Sequence, residues 1–100
     1  LMISQQPSTN PNEVVIRISG RFTFNAHAEF GEVYKGRPPS TRFVVDMADT
    51  TYVDSSALGM LLLLRDHVGG ARDKVEIRNA SPAVRKILDI AAFDRLFLVA

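Results

Sequence analysis

"VVDMADTTYVDSSALGMLLLL", residues 44–64, is the stretch that decides the fold. Its first residues are β-formers, its middle is a polar turn, and its end is an apolar run typical of a buried helix. Ser55 and Ser56 stand where the turn becomes the helix. Three roles are open for these serines: helix caps, a catalytic nucleophile, or a phosphorylation switch.

The segments on either side continue an alternation of strands and helices. "RFVVDM" predicts the strand before the turn, and the glycine pair 69–70 ends a helix that runs from about Ser55 to Val68. The flanking elements are, in chain order, an edge strand at Met2–Gln5, a strand at Glu13–Ser19, a helix capped by Asn25, a strand at Lys74–Asn79, a helix opened by Ser81 and Pro82, and a last strand at 95–100.

This order predicts an α/β fold. Strands that are joined through helices favour parallel neighbours and right-handed crossovers. We therefore expect a mostly parallel sheet of four to five strands with interleaved helices, in a single domain spanning residues 1–100. Helices on one face only would be compatible with a chain of 100 residues.

Composition narrows the classes of function. The chain has no cysteine, which excludes disulfides, thiolate metal sites and a thiol nucleophile and fits a reducing compartment. Its net charge of +1 gives no reason to expect direct nucleic-acid binding. The longest apolar run, Met60 to Leu64, is far too short to cross a membrane, so we predict no membrane insertion and a cytoplasmic protein.

Enzyme chemistry at the serines has little support. Neither serine has the flanking glycines of a nucleophile elbow. His67 lies about three helical turns beyond Ser56, and His27 opens another helix. The two histidines also lack a third metal ligand at a recognisable spacing. A receiver domain, in which Asp46 would accept the phosphoryl group, would require an acidic pair after the first strand, where the sequence reads "SGRF".

Capping and phosphorylation remain open for the pair. Asp, Ser and Asn are preferred N-caps because their oxygens accept the free N–H groups of the first helical turn. The same N–H groups and the helix dipole tolerate a phosphate at this place. A phosphate on either serine would therefore change the surface without unfolding the helix.

Here the sequence resembles a known family. "DTTYVDSSALGMLLLLRD" is similar to the central motif of STAS domains, the anti-sigma factor antagonists, and the similarity extends over "VVIRISGRF" and "KVEIRNASPAVRKILDIAAFDRLF". The matching positions of the motif are Asp46, Asp54, Ser55, Ser56, Leu58 and Gly59. Ala57 and Thr23 depart from it, since many members have glycine and aspartate at these positions.

The resemblance implies a STAS-like fold and a non-catalytic regulatory protein without a cofactor. It implies that Ser56 is the phosphorylated residue, that the partner is an anti-sigma factor with serine kinase activity, and that a PP2C-type serine phosphatase resets the switch. It also implies that the loop at Thr23 joins the partner surface. The alternative function is that of an accessory or scaffold subunit, because STAS-like domains also dock on transporter ATPases without a phosphorylation cycle.

A helical wheel predicts which face of the helix carries the partner surface. With Leu61 at the centre of the core face, Ala57, Leu64 and Val68 cluster beside it. Leu63 and partly Met60 then lie on the side of the serines, where a solvated face would not require apolar residues. The predicted partner-binding residues are Asp54, Ser55, Ser56, Gly59, Met60, Leu63 and Thr23.

Overall fold

The computed structural model describes residues 1–100 and contains six strands and three α-helices. The strands are β1 (Met2–Pro7), β2 (Glu13–Phe22), β3 (Arg42–Asp46), β4 (Thr50–Val53), β5 (Val75–Arg78) and β6 (Leu98–Val99). The helices are α1 (His27–Tyr34), α2 (Ser55–His67) and α3 (Pro82–Ile90). None of these helices combines the length and the apolarity needed to cross a membrane.

The sheet confirms the α/β class. Its strands follow the order β1-β2-β3-β5-β6; β1 pairs with β2 in antiparallel fashion, and the other neighbours are parallel. The predicted count of four to five strands is too low, because Thr50–Val53 forms β4 rather than part of a turn. β4 pairs with the far end of β2, at Gly20–Phe22, beyond the point where β3 stops.

One face of the sheet carries the core. The inward residues of β2, β3 and β5 alternate with outward ones, as Ile16, Phe43 and Ile77 illustrate with no exposed surface. All three α-helices contribute to the same apolar cluster. α1 and α3 each present apolar residues to this cluster, and Phe30 and Leu88 are buried in it.

The opposite face of the sheet carries a network of ion pairs. Arg42 binds both Glu13 and Glu76, and Arg78 binds the second oxygen of Glu76 at 2.8 Å. The hydrogen bond from Ser8, with those from Arg42 and Asn10, lowers the pKa of Glu13 against the opposing effect of burial. Burial raises the pKa of Glu76, but the hydrogen bonds and charges of Arg78 and Arg42 outweigh it, so the net direction is downward.

Element ends follow the sequence at some places and depart from it at others. Ser81 caps α3 as expected, since its Oγ accepts the Val84 N–H at 3.2 Å. The glycine pair ends α2 in left-handed conformations, with φ of +84° and +83°. Asn25 does not cap α1: the chain enters this helix through a 3₁₀ turn, Phe24–Ala26, which places Ala26 at the cap position. Another 3₁₀ turn, at Phe93–Arg95, shortens the last strand to two residues.

Candidate functional site

The carboxyl ends of β2 and β4 meet at one edge of the sheet. Phe22 and Val53 are paired at the end of the ladder, and the Asp54 N–H continues it by donating to the Phe22 carbonyl at 3.3 Å. The loop that follows β2 begins at Thr23, and α2 begins at Ser55. Because both strands run in the same direction, this loop and the start of α2 lie side by side.

Asp54 is the N-cap of α2. Its backbone is extended, and its Oδ1 accepts the Ala57 N–H at 2.8 Å, while its carbonyl accepts the Leu58 N–H at 3.2 Å. Its second carboxylate oxygen, Oδ2, accepts the Phe24 N–H across the loop at 3.4 Å. The sequence therefore identified the capped helix start correctly, and the aspartate supplies the cap.

Both serines lie in the first turn of α2. Ser55 and Ser56 are its first two residues; Ser55 is exposed and Ser56 is partly exposed. As a consequence, both hydroxyls stand near the positive end of the helix dipole, beside N–H groups that the helix itself does not use. An anionic group attached at either serine is electrostatically favoured there.

The histidines have partners elsewhere. His67 ends α2, and its Nε2 lies 2.8 Å from the carbonyl oxygen of Arg37. The His27 ring stacks on Phe24, with 5.6 Å between the ring centroids. Neither contact places an imidazole as a base for Ser56. The chain's one cavity, of about 310 Å³, lies at the amino ends of β2 and β3, away from the serines.

The faces of α2 agree with the helical wheel except at one residue. Leu61 has no exposed surface, and Ala57, Leu64 and Val68 are buried with it. Leu63 is 50% exposed, and Gly59 is partly exposed, so both lie at the surface on the side of the serines. Met60 is only 4% exposed, so the prediction that its side chain reaches the partner surface is wrong. Its position one residue before Leu61 places it on the flank that the core encloses.

An exposed aromatic residue near the serines was missed. Phe24 is 64% exposed, although Phe22, two residues earlier, is fully buried. Thr23, between them, is partly buried. Tyr52 of β4 is also exposed, and the Arg21 guanidinium lies 4.4 Å from the centre of its ring. No local pattern of the sequence gives this exposure, because Phe24 continues the inward positions of β2 and is turned outward only by the 3₁₀ turn that begins there.

Asp46, which matches the family motif, has a structural role. It ends β3, and its side chain accepts hydrogen bonds from the Ala48 N–H at 3.0 Å and from Asn79 Nδ2 at 3.3 Å. Arg17 pairs with it at 3.4 Å. Burial raises the pKa of Asp46, but these hydrogen bonds and the Arg17 charge prevail and lower it overall. The aspartate thus closes the turn that leads from β3 into β4.

Comparison with known proteins places this site in context. The family model described as "Mlab, STAS domain" matches residues 6–100. A STAS-domain containing protein of Pseudomonas aeruginosa (strain UCBPP-PA14) is 50% identical over 101 residues, which cover 99% of each chain.

Several solved structures share the fold at low identity. The anti-sigma factor antagonist SpoIIAA in its unphosphorylated form is 19% identical, with a TM-score of 0.66 over 94% of this chain and 96% of that one. A sulfate transporter family protein from Wolinella succinogenes is 15% identical, with a TM-score of 0.76 over 93% of this chain and 80% of that one. At these identities the likeness concerns the fold alone.

Proposed function

The chain belongs to the STAS domain family, and we propose that it is a phosphorylation-controlled antagonist. In its unphosphorylated form it binds an anti-sigma factor with serine kinase activity and thereby acts on transcription indirectly. The kinase phosphorylates Ser56, the phosphorylated form releases the partner, and a PP2C-type serine phosphatase restores the original state. In this role the protein itself is non-catalytic and acts in the cytoplasm.

The observation that carries this proposal is the surroundings of Ser56. Its hydroxyl is partly exposed in the first turn of α2, where a phosphate is compatible with the helix. Leu63 lies about two turns further on the same side of the helix, and Phe24 extends from the neighbouring loop. Exposed apolar side chains beside a modifiable hydroxyl make a surface that binds while neutral and loses affinity when charged.

The comparisons add support of a general kind. SpoIIAA, whose fold this chain shares, has been solved in both an unphosphorylated and a phosphorylated form. An anti-sigma factor antagonist from Mycobacterium paratuberculosis also shares the fold, with a TM-score of 0.75. These likenesses favour a partner switch over an enzyme at the same place.

The test begins with the state of the protein in its own host. We expect the intact mass of the natively purified chain to include a species heavier by one phosphate, and phosphopeptide mapping to assign it to Ser56. Ser56→Ala should remove this species, whereas the matched variant Ser55→Ala should retain it. Phosphate on Ser55 or on a threonine of "DTT" (49–51) would contradict the assignment.

Binding measurements show which form of the protein, unphosphorylated or phosphorylated, binds the partner. With the cognate kinase, we expect Ser56→Ala to bind as wild type and the phosphorylated protein to lose binding, with Ser56→Asp weakened in the same direction. Both variants should remain folded, because an acidic residue is favourable in the first turn of a helix. Equal binding of the phosphorylated and unphosphorylated proteins would refute the switch.

A second candidate is an accessory subunit of a transporter. The likeness to a sulfate transporter family protein favours it. In that case the same surface docks on a transporter component and no phosphorylation cycle operates. An unmodified Ser56 in the host, together with co-purification of transporter subunits lost in Leu63→Asp, would favour this function over the first.

A further inference from the structure

Asp54 holds two neighbouring segments at once. Its Oδ1 accepts the Ala57 N–H at 2.8 Å and caps α2, while its Oδ2 accepts the Phe24 N–H at 3.4 Å. Phe24 opens the 3₁₀ turn Phe24–Ala26, so its N–H has no acceptor inside that turn. A single carboxylate therefore joins the helix that carries Ser56 to the loop that carries the most exposed aromatic side chain of this edge.

The position of Phe24 depends on this link. Its ring is 64% exposed and packs on His27 with an angle of 25° between the ring planes, so the core does not hold it. Two backbone hydrogen bonds close the turn, from the Ala26 N–H to the Thr23 carbonyl at 2.9 Å and from the His27 N–H to the Phe24 carbonyl, and neither involves the Phe24 N–H. Loss of the contact with Asp54 would leave the Phe24 backbone N–H without a hydrogen-bond acceptor in the protein.

A phosphate on Ser56 disturbs the same carboxylate. It adds a charge of about −1.5 to −2 two residues away from Asp54 and competes for the N–H groups at the start of α2. Two anionic groups at one helix end repel each other, and the phosphate oxygens are the stronger acceptors. The Asp54 side chain is then displaced from the cap, and its second oxygen leaves Phe24.

We propose that Asp54 is a positioning residue that couples the phosphorylation state of Ser56 to the conformation of Phe24. In the unmodified protein Asp54 fixes Phe24 beside the serines, in the arrangement that the partner binds. Phosphorylation releases the Phe24 backbone, so the switch changes the shape of the surface as well as its charge. This inference rests on the proposed role of Ser56 as the phosphorylated residue.

The exchange measurement itself requires no partner protein, and kinase binding is measured separately on the same samples. Phosphoserine is installed at position 56 by suppression of a stop codon, and amide hydrogen exchange is followed by NMR, together with the Phe24–His27 ring contacts. We expect exchange at the Phe24 amide to accelerate by about tenfold, as for the loss of one charge-assisted hydrogen bond. Phosphoserine at position 40, in an exposed loop at the other end of the sheet, is the matched control for added charge.

Substitution of Asp54 tests its contact with Phe24 separately from the cap of α2. Asp54→Asn retains a good N-cap with one acceptor oxygen for Ala57, but lacks the second acceptor for Phe24. It should show the fast Phe24 exchange without any phosphate, and phosphoserine 56 should add no further acceleration in it. Asp54→Ser offers the same comparison with a second capping residue, and the thermal melts of both variants report whether α2 remains intact.

The outcomes separate this inference from the proposed function. Phe24 exchange that is unchanged by phosphoserine 56, or accelerated equally in the Asp54→Asn background, overturns the coupling. If binding of the kinase is lost at the same time, the phosphorylation switch stands and acts through charge alone. Accelerated exchange with unchanged kinase binding supports the coupling and refutes the switch.

Discussion

Leu63→Asp tests the orientation of α2 and the partner surface together. Leu63 is 50% exposed, so replacement removes about half of the 1.5–3 kcal/mol that full burial of a leucine contributes. The lower helix propensity of aspartate adds about 0.5 kcal/mol. We therefore expect a loss of about 1–2 kcal/mol, which lowers the melting temperature of a domain of this size by about 4–15 °C.

Leu61→Asp is the control on the same helix. Leu61 has no exposed surface and belongs to the core cluster. Truncation of a buried leucine alone costs about 2–5 kcal/mol, and the unpaired carboxylate adds several more. The sum approaches the total stability of about 5–15 kcal/mol that is usual for a domain, so this variant should be unfolded or melt tens of degrees earlier.

Thermal melts and partner binding are the two measurements. If Leu63 anchors the kinase, its replacement should weaken binding by about 2 kcal/mol or more, roughly 30-fold in Kd, while the fold persists. A Leu63→Asp protein that melts as early as Leu61→Asp would show that the helix faces the other way. Wild-type binding by a folded Leu63→Asp protein would remove Leu63 from the partner surface.

Two further predictions follow from the helix and from the sheet. A Cβ at Gly59 would meet no atom within 4 Å, so Gly59→Ala should raise the free energy of unfolding by about 1 kcal/mol. Reduced kinase binding by this variant would place Gly59 at the interface, and unchanged binding would exclude it. The pKa values of Glu13, Asp46 and Glu76 are lowered by folding; their contribution to stability is therefore complete above the unfolded-state values near about pH 4 and is lost as the pH falls through the lower folded-state values. Arg42→Met should weaken this dependence of the melting temperature on pH between about pH 6 and 2. The control Arg85→Gln, which breaks the exposed Arg85–Asp89 pair, should leave it unchanged. An equal pH dependence in Arg42→Met and wild type would contradict the stabilising role of the Arg42 ion pairs.

The main elements of the fold follow from local patterns. Three features depend only on residues close together in the sequence and could therefore be predicted: the alternation in Glu13–Ser19, the polar cap before the apolar helix, and the Ser81–Pro82 start of α3. β4 was missed because its pairing is tertiary. Thr50–Val53 has good β-formers, but it becomes a strand only because β2 extends past the end of β3 and offers an unpaired edge.

The sequence predicted the faces of α2 at the candidate site, but it did not predict which neighbouring side chains are exposed. The helical wheel placed Leu61 and Leu63 on the correct sides, since a helix has a fixed rotation per residue. Met60 lies on the boundary between the faces, and its burial depends on which neighbours pack against that flank. The exposure of Phe24 depends on the 3₁₀ turn and on the link to Asp54, which joins residues thirty positions apart. No local pattern contains such a contact.

A phosphate on Ser56 would affect partner binding far more than the stability of the fold. In the proposed mechanism the added charge would interact favourably with the helix dipole at the first turn of α2, by about 0.3–1 kcal/mol. This gain would offset the proposed loss of the Asp54 cap, which costs about 1 kcal/mol. The fold is therefore nearly indifferent to phosphorylation. A partner that covers Ser56 must instead remove water from a group with a charge of about −2, which costs several kcal/mol unless cations oppose it. The position of Ser56 in the first turn, rather than in the core or on a mobile loop, thus permits a large change in affinity without a change in folding.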